Sequence, residues 1–115
     1  IAKKHAELSE SKIVFTSNMD EAVKDADIIY GNVWTSMGSH EDKEKEQRIR
    51  DFQPFQINMD AIKKAKRDVI FMHCLPGHRG EDMTDEVIES KYSMVWDQGE
   101  NRMHTEKAVL VLTSY

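Results

Sequence analysis

The chain has 115 residues, with 16 Lys plus Arg against 21 Asp plus Glu, a formal charge of −5 and a pI near 5.5. That length makes one small domain at most, or part of a larger one, and the acidic balance argues against nucleic acid as the main partner. Apolar residues at 39% and charged ones at 32% can build a core and are too mixed for a disordered tail, while no apolar run approaches the roughly 18 residues that cross a bilayer.

Residues 1–8, IAKKHAEL, read as the end of a helix, and KIVFT at 12–16 as a short β-branched strand. Asn18 is a good N-cap for MDEAVKDA, and Glu21 follows three residues on as in a capping box. DIIYG at 27–31 reads as a second, buried strand, and NVWTSMGS at 32–39 as a loop. Ser39 followed by Asp42 can cap the charged helix EDKEKEQRIRDF, which Pro54 limits. Asn58 can cap MDAIKKAKR. DVIFMHC at 68–74 is the strongest strand pattern, and LPGHRGED after it is a loop punctuated by Gly and Pro. A short helix from Thr84 to Glu89, a fourth strand SMVWD at 93–97, the connection QGEN and a last helix from about Arg102 to Leu112 complete the chain.

Strand runs without apolar–polar alternation indicate burial on both faces, the mark of a parallel sheet. Strand–helix alternation then predicts an α/β, three-layer sandwich with a parallel, Rossmann-like sheet. Such a domain usually opens on a strand, whereas this chain opens on a helix, so the sheet is expected to be incomplete at its N-terminus. The charged opening IAKKHAELSESK shows no signal peptide. Cys74 is the single cysteine, so no internal disulfide can form, which fits a reducing, cytoplasmic compartment.

Open parallel sheets bind ligands beyond the carboxyl ends of their strands. Three loops at such ends carry small, polar or charged groups: NVWTSMGS, HCLPGHRG and QGENR. Cys74 closes a buried strand, where a lone cysteine commonly serves as a small apolar filler. The Leu75-Pro76 bond that follows is expected to be cis, turning the chain sharply and aiming carbonyls at a ligand amide. His73, Cys74 and His78 could suggest a metal. Zinc needs three or four ligands and thiolate sites gather several cysteines, so no metal and no cofactor are expected. Trp34 reads as packing, Ser36-Met37-Gly38 as turn chemistry or as a ligand loop, and KKAKR at 63–67 as a solvated helix face. Arg102 is placed at the opening of the last helix, where the macrodipole mildly disfavours a cation unless it meets an anion.

His73-Cys74-Leu75-Pro76 resembles the HCLP signature of ornithine carbamoyltransferases. Ser36-Met37-Gly38 is similar to their SMG loop and Glu100-Asn101-Arg102 to their ENR segment, in the same order and over essentially residues 1–115. Aspartate carbamoyltransferases carry a different loop without the cysteine and fit less well. The resemblance implies transfer of the carbamoyl group of carbamoyl phosphate to the δ-amine of L-ornithine, giving citrulline and phosphate, in a homotrimer or a multiple of trimers. It implies that residues 1–115 form the C-terminal, ornithine-binding domain without its first strand. Cys74 would lie beside the reacting amine, Cys74 and Leu75 would offer backbone carbonyls to the carbamoyl NH2, and Arg102 would bind the carbonyl oxygen. Asn32, Ser36 and Met37 would contact ornithine.

Two departures qualify the resemblance. The family's Ser-Thr-Arg-Thr phosphate loop and His-Pro-x-Gln segment do not occur in this sequence, so the carbamoyl-phosphate-binding domain is absent and the chain alone is expected to be inactive. Asn32 stands where the family usually has Asp, keeping the shape and losing the charge. Two further readings therefore stand beside the first: a carbamoyltransferase for another amine, and a non-catalytic fragment that keeps the fold.

Overall fold

A computed structural model describes residues 1–35 and 42–114. In chain order it contains α1 (Ala2–Leu8), α2 (Met19–Val23), β1 (Ile28–Gly31), α3 (Asp42–Phe52), a 3-10 turn (Gln53–Phe55), α4 (Met59–Lys64), β2 (Ile70–His73), α5 (Asp85–Ile88) and α6 (Val95–Thr113). The two strands pair in parallel, with Ile28 opposite Ile70 and Gly31 opposite His73. Parallel neighbours require a crossover, and α3 and α4 supply it.

Short polar caps position these helices. The Asn18 side chain accepts from the backbone N–H groups of Asp20 and Glu21, at 3.0 and 3.3 Å, and so starts α2. Glu21 does not close the box onto Asn18. It accepts from the Thr16 hydroxyl at 2.8 Å, while that oxygen accepts from the Asn18 N–H. Asn58 starts α4 in the same way, accepting from Asp60 and Ala61 at 3.1 Å each. The proposed Ser39 cap lies outside the described residues.

The core forms where one face of the strands meets the helices. Ile29 and Phe71 pack with Ile57, Ile62, Met83, Val87 and Val95. The opposite face is only partly covered. Ile28 and Tyr30 are exposed there, and α6 reaches it through Gln98, whose amide donates to the Tyr30 hydroxyl at 2.8 Å. Helices thus flank both faces of a small parallel sheet, as the sequence pattern implies.

Three expected elements differ from what the fold contains. KIVFT is not a strand. Ile13, Val14 and Phe15 are exposed, Phe15 to 80%, because β-branching favours a strand only where a partner and a packing surface exist. SMVWD reduces to a single parallel bridge of Ser93 with Phe71, made by Phe71 N–H to Tyr92 O at 2.7 Å and Met94 N–H to Phe71 O at 2.8 Å. From Val95 the chain is already helical, so α6 starts seven residues before Arg102. Gly99 does not break it: a glycine inside a helix costs about 1 kcal/mol relative to Ala, which the turns on either side absorb. No described helix is long and apolar enough to cross a membrane.

Replacing Asn58 by Ala removes both cap bonds at the start of the crossover helix. The expected loss is about 1 kcal/mol of folding stability, read from urea unfolding at unchanged slope.

Candidate active site

The register of the strand pair builds the site. Gly31 opposes His73, so Asn32 and Cys74 leave the carboxyl ends of β1 and β2 side by side. The Cys74 thiol donates to the Asn32 side-chain oxygen, with 3.1 Å between Sγ and Oδ1. From α6, Arg102 Nη1 donates to the Cys74 carbonyl at 3.2 Å. Asn32, Cys74 and Arg102 therefore meet at one rim of the sheet, the carboxyl-end position where open parallel sheets take ligands. Ser36 and Met37 lie outside the described residues.

Arg102 occupies a different place in its helix from the one expected. It lies seven residues after Val95, well inside α6, so neither the first-turn N–H groups nor the positive end of the macrodipole accounts for it. Its side chain instead spans from the helix to the loop after β2. A groove of about 380 Å³, lined by Met72, Gln98, Asn101, Arg102, Thr105 and Glu106, runs beside it.

The loop after β2 has an unusual backbone. Leu75 has φ of +47°, and the Leu75-Pro76 bond is cis, as expected from the sequence. Leu75 N–H points back to the ring of His73 and donates to Nδ1 at 3.0 Å. His73 N–H is held from α6 by Gln98 Oε1, also at 3.0 Å. The same Gln98 thus connects Tyr30 on β1 with the end of β2.

His73 is itself buried, 1% exposed, and its Nε2 lies 3.0 Å from Oδ2 of Asp82, another 1% exposed residue. Because Nδ1 accepts from Leu75, the proton of the neutral ring sits on Nε2 and faces the carboxylate. Nδ1 is taken by the Leu75 N–H, and Nε2 lies against the Asp82 carboxylate. Trp34 packs as expected: it is buried, its ring lies 6.2 Å from that of Phe52, and Arg48 donates to its carbonyl.

Burial pushes His73 below its ordinary value of 6.5, outweighing the upward pull of the Asp82 carboxylate. His78 and Glu81 are the other titratable groups beside the pair, with His78 Nδ1 3.9 Å from Asp82 and 3.8 Å from Glu81. The unfolded chain therefore takes up a proton at His73 at higher pH than the folded one. This contribution to stability is complete above 6.5 and is lost as pH falls from there toward the lower folded value. Urea unfolding between about pH 7.5 and about pH 5 should show a larger loss on acidification for wild type than for His73→Asn, which has no group to titrate.

Asp82 and Gln98 are the residues that sequence reasoning did not single out. Asp82 stands nine positions from His73 with no motif linking the two. Gln98 opens the QGENR loop, two positions before Glu100, and is the nearer signal.

A family model described as aspartate/ornithine carbamoyltransferase, Asp/Orn binding domain, matches residues 1–113. The chain is 53% identical over 108 residues to an ornithine carbamoyltransferase of Archaeoglobus fulgidus, covering 94% of this chain and 34% of that protein. It is 60% identical over 92 residues to an anabolic ornithine carbamoyltransferase of Pyrococcus furiosus, covering 80% of this chain and 29% of that protein. A solved structure of ornithine carbamoyltransferase from the same organism superposes with a TM-score of 0.84 at 52% identity, over 95% of this chain and 34% of that one. The chain thus spans about a third of the length of the relatives it matches.

Proposed function

The chain belongs to the aspartate/ornithine carbamoyltransferase family, and on that premise we propose that it is the ornithine-binding part of an ornithine carbamoyltransferase. The complete protein would move the carbamoyl group of carbamoyl phosphate to the δ-amine of L-ornithine, releasing citrulline and phosphate, and would act in the cytoplasm as a homotrimer or a multiple of trimers. The observation that carries this reading is the convergence of Cys74, Asn32 and Arg102 at the rim of a parallel sheet.

In this reading the amine nitrogen adds to the carbonyl carbon, the carbon–oxygen bond to phosphate breaks, and the amine gives up its proton. Negative charge grows on the carbonyl oxygen as the new bond forms. Arg102 is a fixed cation for that oxygen. The carbonyl of Cys74, with two lone pairs, can accept from Arg102 and from a carbamoyl NH2 together. Leu75 would supply a second carbonyl. Cys74 and Asn32 would border the reacting amine, and Ser36 and Met37 would hold its amino-acid end. The phosphate grip belongs to a carbamoyl-phosphate-binding domain outside this chain, so the chain alone is expected to turn nothing over.

A second reading, a carbamoyltransferase for another amine, rests on Asn32. Its side chain meets the Cys74 thiol and brings no negative charge to an ammonium. Competing ornithine against other primary amines separates the two readings, since a clear preference for ornithine excludes the second.

Arg102→Ala in the complete protein should cost on the order of 3 kcal/mol of transition-state stabilisation, about a hundredfold in citrulline formation. Ornithine binding should change little, because Arg102 is assigned to the carbamoyl oxygen. Initial rates with both substrates varied test this, and unchanged turnover would remove Arg102 from the chemistry.

A further inference from the structure

The loop from Cys74 to His78 carries the backbone carbonyls assigned above to the carbamoyl group, and its conformation is fixed at two points. At its start, Leu75 N–H donates to His73 Nδ1 at 3.0 Å. At its end, His78 N–H donates to Asp82 Oδ1 at 2.9 Å. The two acceptors face each other: His73 Nε2 lies 3.0 Å from Asp82 Oδ2, an ion-pair distance, and neither atom has a hydrogen-bond partner among the described residues. The geometry points to His73 and Asp82 as one positioning unit that sets the backbone of the Cys74–His78 loop, and so the direction of its ligand-facing carbonyls. This inference rests on the carbamoyltransferase reading for its catalytic consequence, but the unit itself is defined by the fold.

Asp82 is suited to be the fixed post of that unit. Its own carbonyl accepts from Ile57 N–H at 3.0 Å, which ties it to the crossover segment. The Gln56 amide donates to the carbonyls of Gly80 and Glu81, at 2.8 and 2.9 Å. Arg79 bridges to Asp85, at the start of α5, and to Glu89, just after its end. The backbone at Gly31 and Gly77 approaches the His73 ring closely. A Cβ on Gly31 would lie 2.7 Å from its Cδ2, and one on Gly77 would lie 2.9 Å from its Cε1 and 3.0 Å from Asp82 Oδ2.

The donor–acceptor sequence admits one solution. Leu75 and His78 each present an N–H, and His73 brings one more proton between them. A carboxylate can accept at both oxygens, so no donor is set against another donor. An amide at position 82 cannot do this. Turned one way, its NH2 faces the His73 Nε2–H; turned the other, it faces the His78 N–H. If His73 moves its proton to Nδ1 to escape the first conflict, that proton meets the Leu75 N–H. Asp82→Asn therefore keeps the shape and leaves one buried pair of opposed donors wherever the protons go.

The test uses the complete protein. In wild type, ¹⁵N spectra of the His73 ring should show a protonated Nε2 and an unprotonated Nδ1 at neutral pH, and the Leu75 and His78 amides should exchange slowly with solvent. Asp82→Asn should accelerate exchange at one or both of these amides. It should also lower kcat at least tenfold while the KM for ornithine stays within about threefold. A purely structural role would leave the local exchange and the kcat-against-KM split unmoved in protein that remains folded. If that variant does not fold, His73→Asn and His73→Gln decide. The Asn oxygen can stand in for Nδ1 and hold Leu75, whereas Gln reaches toward Asp82 and leaves Leu75 N–H unpaired, so Asn should retain at least tenfold more activity. A ring protonated on Nδ1, unchanged Leu75 and His78 exchange in folded Asp82→Asn, or Gln matching Asn would overturn the inference. Wild type without citrulline formation would defeat the carbamoyltransferase reading, and the ring and amide signals would still decide the positioning unit.

Discussion

One strand pairing underlies the whole site. β1 and β2 lie in parallel with Gly31 opposite His73, and the contact is so close that Gly31 cannot carry a side chain without displacing the histidine ring. That register puts Asn32 next to Cys74 and points the imidazole of His73 into the core beneath the loop that follows. A shift by one residue would send the ring to the other face, separate the thiol from the amide and leave Asp82 buried without its partner. The core around Phe71 and Ile29 holds the register through ordinary apolar burial.

The contact between Cys74 and Asn32 bears on how this chain differs from the family pattern. An aspartate beside a thiol would bring a charge and oppose the thiolate. Asn32 accepts from the Cys74 S–H through a neutral oxygen, so the thiol keeps a defined direction without that charge. Shape and reach at the rim are preserved, and the electrostatic field there is weaker. The consequence falls on any cationic group approaching the rim, rather than on the fold.

Local signals were legible where the chemistry is local. Asn18 and Asn58 cap their helices as their positions suggest, and the two runs rich in Ile, Val and Phe at 28–31 and 70–73 are the strands. The HCLP segment and Arg102 were legible through their motif context, and they meet as expected. Elements whose identity depends on distant partners were not legible. KIVFT has strand composition and, among the described residues, no strand beside it. Ser93 bridges Phe71 for one residue before Val95 turns inward, because burying Val95 at the start of a helix satisfies both its side chain and the backbone. Asp82 could not be found from composition, since its role depends on a fold that brings it 3.0 Å from a residue nine positions earlier.

The length of α6 has a mechanical meaning. Its first residues are tied to the sheet through Met94 and Gln98, and its 19 residues extend about 28 Å from that anchor. Arg102 stands about 10 Å along this arm and Thr113 about 27 Å. A tilt of about 10° at the anchored end would carry the far end about 5 Å and Arg102 about 2 Å, comparable with the reach of its hydrogen bond to Cys74. Val109, Leu110, Val111 and Leu112 are exposed near the tip of the lever. A surface that covered them would set the arm's angle, and through it the distance between the guanidinium and the carbonyl it meets.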